Sequence, residues 1–418
     1  MEKKKLVSLF SGIGAFESAL SKFGNCYNLE MMAEVDIYAS LSYTAIHQPL
    51  WRDVPVKTEE EMRKHLIDKN IGKDFKTGKN PVARMKGQKL EQLYKCAIAT
   101  NNEGDVSLVD FTKYKDVDLV VGGSPCQDFS VAGKQQGSIW ICNECKHEYN
   151  PLEQHYDKRD RCPKCDGINL NKTRSSLLVE YLRAIRELKP KYFIYENVKN
   201  IKGKEFIKVF NLFEKELKEY GYNTYNQVLN AKDYEVPQNR ERVFVVGIRE
   251  DIIQEYTFPE KMELKLRLKD LLEVEVDDKY YLSEEIQKRF KENLEIAKIN
   301  NDIKYNKINK IGKIDIKGKE SIKIVYNING TSPCLDTMQG GNRQPKVLQN
   351  VDYRIRKLTP KECWRLMGFT DQEFNKAKEI GTSDSQLYKQ AGNSIVVNVL
   401  YHIFKNLFIH NNIIKSRF

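Results

Sequence analysis

The chain has 418 residues, 69 Lys and Arg against 58 Asp and Glu, a net charge of +11 and 40% hydrophobic residues. That length holds two or three domains with a real core, and no run approaches the ~18 apolar residues of a membrane-spanning helix. The positive balance suits a polyanionic partner, but 51 lysines against 18 arginines, beside abundant Ile and Asn, is also what an AT-rich genome gives any protein.

Met1 to Leu6 runs straight into a strand with no apolar leader, so a cytoplasmic protein is expected. Nine cysteines in such a chain favour thiols and metal over disulfides. Leu6 to Phe10 reads as a strand, Ser11-Gly12-Ile13-Gly14-Ala15 as a glycine turn and Phe16 to Phe23 as a helix. Strand, glycine turn and helix open a nucleotide-binding α/β unit, where backbone approaches a ligand at a helix start; without a third glycine, a plain structural turn is the competing reading. Met31 to Asp36 ends a second strand in acid, placed to hold ribose hydroxyls or to cap a helix over Ile37 to His47. Residues 53–100 are polar and lysine-rich, with one helical piece around Glu59 to Ile67, and read as an insertion without chemistry of its own. Asp105-Val106 and the strand Val117 to Val121 resume the pattern.

Gly122-Gly123-Ser124-Pro125-Cys126 then halts the strand in a tight loop presenting one thiol. Taken alone, Cys126 reads as a structural cysteine. Cys142-x2-Cys145 and Cys162-x2-Cys165, 16 residues apart, match a four-thiolate zinc ribbon. His147 and His155 lie between the pairs but are surplus to a tetrahedral set, so the site should be closed and structural. The ribbon follows Cys126 by 16 residues, as though one loop of a smaller protein had been opened to receive it.

Leu177 to Leu188 is an amphipathic helix closed by Lys189-Pro190. Tyr192 to Tyr195 is a strand leading into Glu196-Asn197-Val198, and Phe206 to Tyr220 a helix stopped by Gly221. Val228-Leu229-Asn230 should begin a polar loop. Arg240 and Arg242, two apart in a strand, should face one side and suit anion or carbonyl recognition, an ion-paired surface being the alternative. From about Asp251 the chain turns lysine- and acid-rich, with loops at 329–343. Thr359-Pro360 signals a helix over Lys361 to Met367, and Ile395 to Phe408 is an apolar helix.

Phe10-x-Gly12-x-Gly14, Pro125-Cys126-Gln127, Glu196-Asn197-Val198, Gln238-x-Arg240-x-Arg242, Arg356 to Phe369 and Gly392-Asn393-Ser394 occur in that order. This resembles the DNA cytosine-5 methyltransferase family, over nearly the whole chain except 53–100, the ribbon and much of 251–330. A ribbon after the Pro-Cys loop is similar to an arrangement among bacterial and phage members. The resemblance implies a Rossmann-like α/β catalytic domain that uses S-adenosylmethionine, a smaller, mostly β target-recognition domain, and double-stranded DNA as substrate. The expected divisions are 1–250 catalytic, with insertions at 53–100 and 138–172; 251–379 target recognition; and 380–418 returning to the catalytic domain. A monomer is expected, with a restriction endonuclease of the same site as a candidate partner.

By the same resemblance, Cys126 is the nucleophile, Glu196 the acid at ring nitrogen 3, and Arg242, with Arg240 beside it, holds the base carbonyl. Phe10, Gly12, Ile13, Gly14, Glu34, Val35, Asp105, Val106, Pro125, Leu177, Asn393 and Ile395 would line the cofactor pocket. Val35 stands where many relatives carry an aromatic residue. The recognition domain would read bases through Thr331 to Arg343, and the ribbon would prop the Cys126 loop and touch phosphates through Lys158, Arg159 and Arg161. Two other readings compete: an RNA cytosine methyltransferase, disfavoured by the large variable domain, and a DNA-binding module without activity, disfavoured by intact catalytic positions.

Overall fold

The computed structural model describes residues 3–125, 139–172, 177–292, 304–349 and 354–408. Its centre is a six-stranded sheet in the order β2-β1-β3-β7-β9-β8. β1 (Lys4–Leu9), β2 (Tyr27–Ala33), β3 (Leu119–Gly122) and β7 (Tyr192–Val198) run parallel. β9 (Glu241–Arg249) lies antiparallel to both β7 and β8 (Tyr222–Asn230).

Successive residues of a strand face opposite sides, and here both sides are packed. Leu6, Leu119, Ile194 and Val246 join one cluster with α1 (Ala15–Ser21) and the C-terminal helix Val397–Phe408. Val7, Val120, Phe193 and Val245 join another with α5 (Leu177–Leu188) and α6 (Ile207–Glu219). The chain leaves β1 toward β2 and returns to β3 on β1's other side. The loops after β1 and β3 therefore diverge at the carboxyl edge, the switch point where doubly wound sheets bind ligands.

The expected loop at Val228 to Asn230 is instead the end of β8, paired residue for residue with β9. As an edge strand, β8 is only partly buried and carries polar residues that mask its period. α2 (Ile37–His47) starts where expected, its Asp36 cap accepting from Ala39 N at 2.9 Å. Residues 53–100 hold two helices rather than one, α3 (Glu59–Asp68) and α4 (Gly87–Ala99). Met62 and Leu66 pack against Leu90, Leu93, Tyr94 and Ala97, a helical stripe, with Leu41 of α2 completing the cluster.

The ribbon is a small antiparallel sheet of β4 (Trp140–Cys142), β5 (Glu148–Tyr149) and β6 (Leu170–Lys172), β4 central. The second domain builds its own sheet from β10 (Lys310–Lys313), β11 (Ile324–Asn327), β12 (Lys346–Gln349) and β13 (Arg354–Lys357). Its core is Leu282, Phe290, Ile314, Val325, Leu348 and Ile355. From Leu358 onward, Trp364, Met367 and Phe374 pack into the main core instead. The helix Pro360–Arg365 starts with Pro360 at its first turn and a reciprocal Thr359–Glu362 capping box. Glu362 also meets Arg356 at 2.7 Å with both side chains fully buried, tying β13 to that helix. Among the described residues no helix is long and apolar enough to cross a membrane.

Candidate active site

After β1 the backbone turns through left-handed conformations at Phe10 (φ 54°), Gly12 (φ 56°) and Gly14 (φ 81°). A Cβ on Gly14 would fall inside the His47 ring, whereas one on Gly12 would meet nothing within 4 Å. Gly12 therefore borders open space, and its amide points to Glu34, donating to Oε2 at 2.9 Å. Glu34 Oε1 accepts from Asp36 N at 2.7 Å. Burial, then the neighbouring Asp36 charge, pushes the Glu34 carboxyl up to about 7. A partly buried carboxylate flanked by backbone amides, facing a glycine turn with free space above it, fits the ribose of a nucleoside cofactor.

Asn102, which the sequence reading passed over, holds that carboxylate's backbone. It is fully buried, accepts from Glu34 N at 3.1 Å and donates to Glu34 O at 3.0 Å. The signal available was Asn102 two residues before Gly104, whose amide also bonds Asn102 Oδ1 at 2.9 Å. Asp105 follows, accepting from Ser107 N at 3.1 Å, with Val106 buried beside it. Phe10, Gly12, Ile13, Gly14, Glu34, Val35, Asp105 and Val106 thus gather at one edge of the sheet.

On the other side of the switch point, Gly123 leads the β3 loop past β7. A Cβ there would lie 2.8 Å from Glu196 O and 2.9 Å from Glu196 Oε2, so only glycine lets the loop press this close. Ser124 Oγ lies 2.7 Å from the Tyr195 hydroxyl, which also accepts from Asn197 Nδ2 at 2.7 Å. These three polar groups are buried and satisfy one another, which fixes the loop's root. Pro125 is the last residue described before the loop; Cys126 lies outside the described residues.

Glu196 meets Arg242 Nε at 3.0 Å across the β7–β9 pair. Burial raises the Glu196 carboxyl against the opposing charges of Arg242 and Arg240. The site therefore holds a carboxyl inclined to keep its proton beside a fixed cation.

Arg240 stands beside them: its charge acts on Glu196, and its Nη1 reaches Cys334 Sγ at 3.4 Å, a thiol that Arg242 also approaches. β9 begins at Glu241, yet the side chains of Arg240 and Arg242 both reach Cys334. The buried Arg240 guanidinium also donates to Leu335 O at 2.9 Å, Gly392 O at 2.9 Å and Ser394 O at 2.8 Å. Arg240 thereby pins the exposed Asn393 turn and the loop from the second domain; Ile395 is partly buried against the main core. Leu177 opens α5 and packs at the margin of the other core.

The four thiols of Cys142, Cys145, Cys162 and Cys165 lie within 4.8 Å of one another, two pairs at 3.6 Å. A disulfide would need about 2.05 Å, whereas tetrahedral ligands about 2.3 Å from one ion stand roughly 3.8 Å apart. His147 stacks on Tyr149 and His155 pairs with Asp157, apart from the thiols. Of the three basic residues expected to face phosphates, Lys158 and Arg161 are exposed, Arg161 paired with Asp166 at 2.7 Å. Arg159 is not available. It is buried and grips Glu216 of α6 through both Nη atoms, at 3.1 and 2.6 Å, so it docks the ribbon on the catalytic domain.

Sheet order, glycine turn and the acid ending β2 together define a nucleoside-cofactor α/β enzyme of the doubly wound class. The model of the C-5 cytosine-specific DNA methylase family matches residues 69–139 and 167–409, lapsing where the ribbon lies. An orphan methyltransferase of Bacillus phage SPbeta is 33% identical over the whole of both chains. The type II methyltransferase M2.ScrFI of Lactococcus lactis subsp. cremoris is 36% identical, over 97% of this chain and 99% of its own. The solved structure of the S. pombe Dnmt2 methyltransferase shares the fold, with TM-score 0.58 at 15% identity, covering 98% of this chain and 100% of its own. The chain belongs to the C-5 cytosine-specific DNA methylase family. It is a DNA (cytosine-5-)-methyltransferase, an S-adenosylmethionine-dependent enzyme of restriction-modification or phage DNA modification.

Proposed function

We propose that the enzyme methylates a cytosine turned out of a specific duplex sequence, through a covalent bond between Cys126 and the base. The observation that carries this reading is the partly buried Glu196–Arg242 pair pressed against Gly123, three residues before Cys126. Carbon 5 of cytosine is a poor nucleophile until the ring's conjugation is broken. The Cys126 thiolate adds to carbon 6 while Glu196 gives its proton to ring nitrogen 3 and Arg242 holds the carbonyl oxygen. The resulting enamine forms its carbon 5 bond to the methyl group as the sulfonium–methyl bond breaks. A base then takes the carbon 5 proton, the carbon 6–sulfur bond breaks to release the thiolate, and nitrogen 3 returns its proton to Glu196. The cofactor supplies an electrophilic methyl; Glu34 would hold its ribose and Asp105 its adenine amino group.

In this reading Arg240 positions the Asn393 turn instead of touching the base. The four-cysteine cluster holds structural zinc. The second domain, 251–357, reads the major groove, chiefly through 339–343, since Gln339, Gly340, Gly341 and Arg343 are exposed whereas Thr331 and Ser332 are buried. Duplex DNA carrying 5-fluorocytosine at the target, incubated with S-adenosylmethionine, should trap a covalent adduct that Cys126→Ser abolishes. Normal methylation by Cys126→Ser would overturn the assignment.

A further inference from the structure

The segment 53–100 has its own core, yet its α3–α4 turn meets both walls of the proposed adenine pocket. Gly72 N donates to Val35 O at 2.8 Å, and Asp105 N donates to Lys69 O at 2.9 Å. Lys69 Nζ reaches Asn102 O at 3.2 Å and Glu103 at 3.2 Å. Between these anchors Asn70 Nδ2 donates to Asp105 Oδ2 at 2.9 Å. Asn70 sits at φ 57°, a conformation asparagine tolerates better than most residues. Asn80 Nδ2, bonded to Ile71 O at 2.9 Å, braces the same turn.

The Asp105 carboxylate is thus tied at both oxygens. Oδ1 accepts from Ser107 N at 3.1 Å and Ser107 Oγ at 2.8 Å; Oδ2 accepts from Asn70. A carboxylate oxygen offers about two lone-pair sites. Oδ2 therefore keeps one acceptor site in a fixed direction, which suits an exocyclic amino group and rejects a carbonyl.

We infer that Asn70 is a positioning residue for cofactor recognition: by orienting Asp105 it makes the enzyme select an adenosine over its 6-keto counterpart. This rests on the reading of Asp105 as the adenine contact. It also gives the segment 53–100 a part in the reaction, as the outer support of the pocket.

The test is calorimetric binding of S-adenosylhomocysteine and S-inosylhomocysteine to the full-length protein. Asn70→Gly keeps the left-handed backbone accessible while deleting the amide. A hydrogen bond to a charged group makes the parent protein prefer the adenosine ligand by about 10- to 100-fold. Both Asn70→Gly and Asp105→Ala should reduce that ratio to about threefold or less. If Asp105→Ala abolishes the preference and Asn70→Gly retains it, the positioning role is refuted and the Asp105 reading stands. An equal loss of affinity for both ligands in Asn70→Gly, with the ratio kept, also refutes it, since a merely structural defect does not discriminate. If Asp105→Ala keeps the preference, the adenine reading falls and the inference with it.

Discussion

Different forces hold the ribbon at 139–172 and the helical pair at 53–100, of which the family model spans only the second, from residue 69 on. The helical pair has an apolar cluster of its own, from Met62 to Ala97, fused to the main body through Leu41 and Ile380. The ribbon has little such core. Trp140, Tyr149 and Leu152 lean on the cluster around α6, and four thiols and one buried ion pair do the rest. A short segment with few apolar residues cannot offset its chain entropy by burial alone. The two also dock on different helices, the pair on α2 and the ribbon on α6.

The sharpest way to break this contrast is to remove metal. Zinc-binding free energy in small thiolate sites is on the order of 10–16 kcal/mol and is largely folding free energy. Chelation should therefore expose the amides of 139–172 to hydrogen exchange while those of α3 and α4 stay protected. Protection of both segments after verified metal loss would mean that docking alone holds the ribbon. A smaller effect follows from the docking pair. Among the described residues, Arg159→Ala leaves the buried Glu216 with Tyr220 as its donor, at a cost of about 3–5 kcal/mol. Replacing both residues by Met should be nearly neutral, because the uncompensated charge is gone. Local hydrogen exchange of the ribbon would read both variants, and equal effects would show that packing, not the charge pair, seats it.

The two insertions were unequally legible. Two Cys-x-x-Cys pairs declare a ribbon because metal chemistry demands that spacing, but nothing in Lys158 to Arg161 says which cation turns inward. Arg159 finds Glu216 57 residues later, a relation no local pattern carries. The strand ends bearing Gly12, Glu34 and Glu196 were readable, since apolar runs followed by glycine or acid mark a carboxyl edge. The two-residue spacing of Arg240 and Arg242 placed them together, but not the carbonyls of Leu335, Gly392 and Ser394 that Arg240 also holds. Asn70 and Asn102 left no periodic trace: each acts through a single amide bonded across a turn.

The smallest effect sharpens which insertion governs the cofactor. With its carboxyl pushed up to about 7 by burial and by Asp36, Glu34 is only partly ionised at neutral pH in the free protein. Ribose hydroxyls donate best to the ionised form, so cofactor binding there expels a proton. Because this pKa is raised, the ionised fraction grows as pH climbs through about 7 and shrinks below it. Affinity for S-adenosylhomocysteine should fall roughly tenfold between pH 8 and pH 6, tracking a fall in ionised carboxylate from about nine-tenths to about one-tenth. Glu34→Gln should bind more weakly and flatten that profile. Because the ribbon docks on α6 rather than on the elements that bond Glu34, chelated enzyme should keep the pH profile unchanged. A profile that moves on chelation would couple the ribbon to the cofactor pocket and overturn the division of labour between the two insertions.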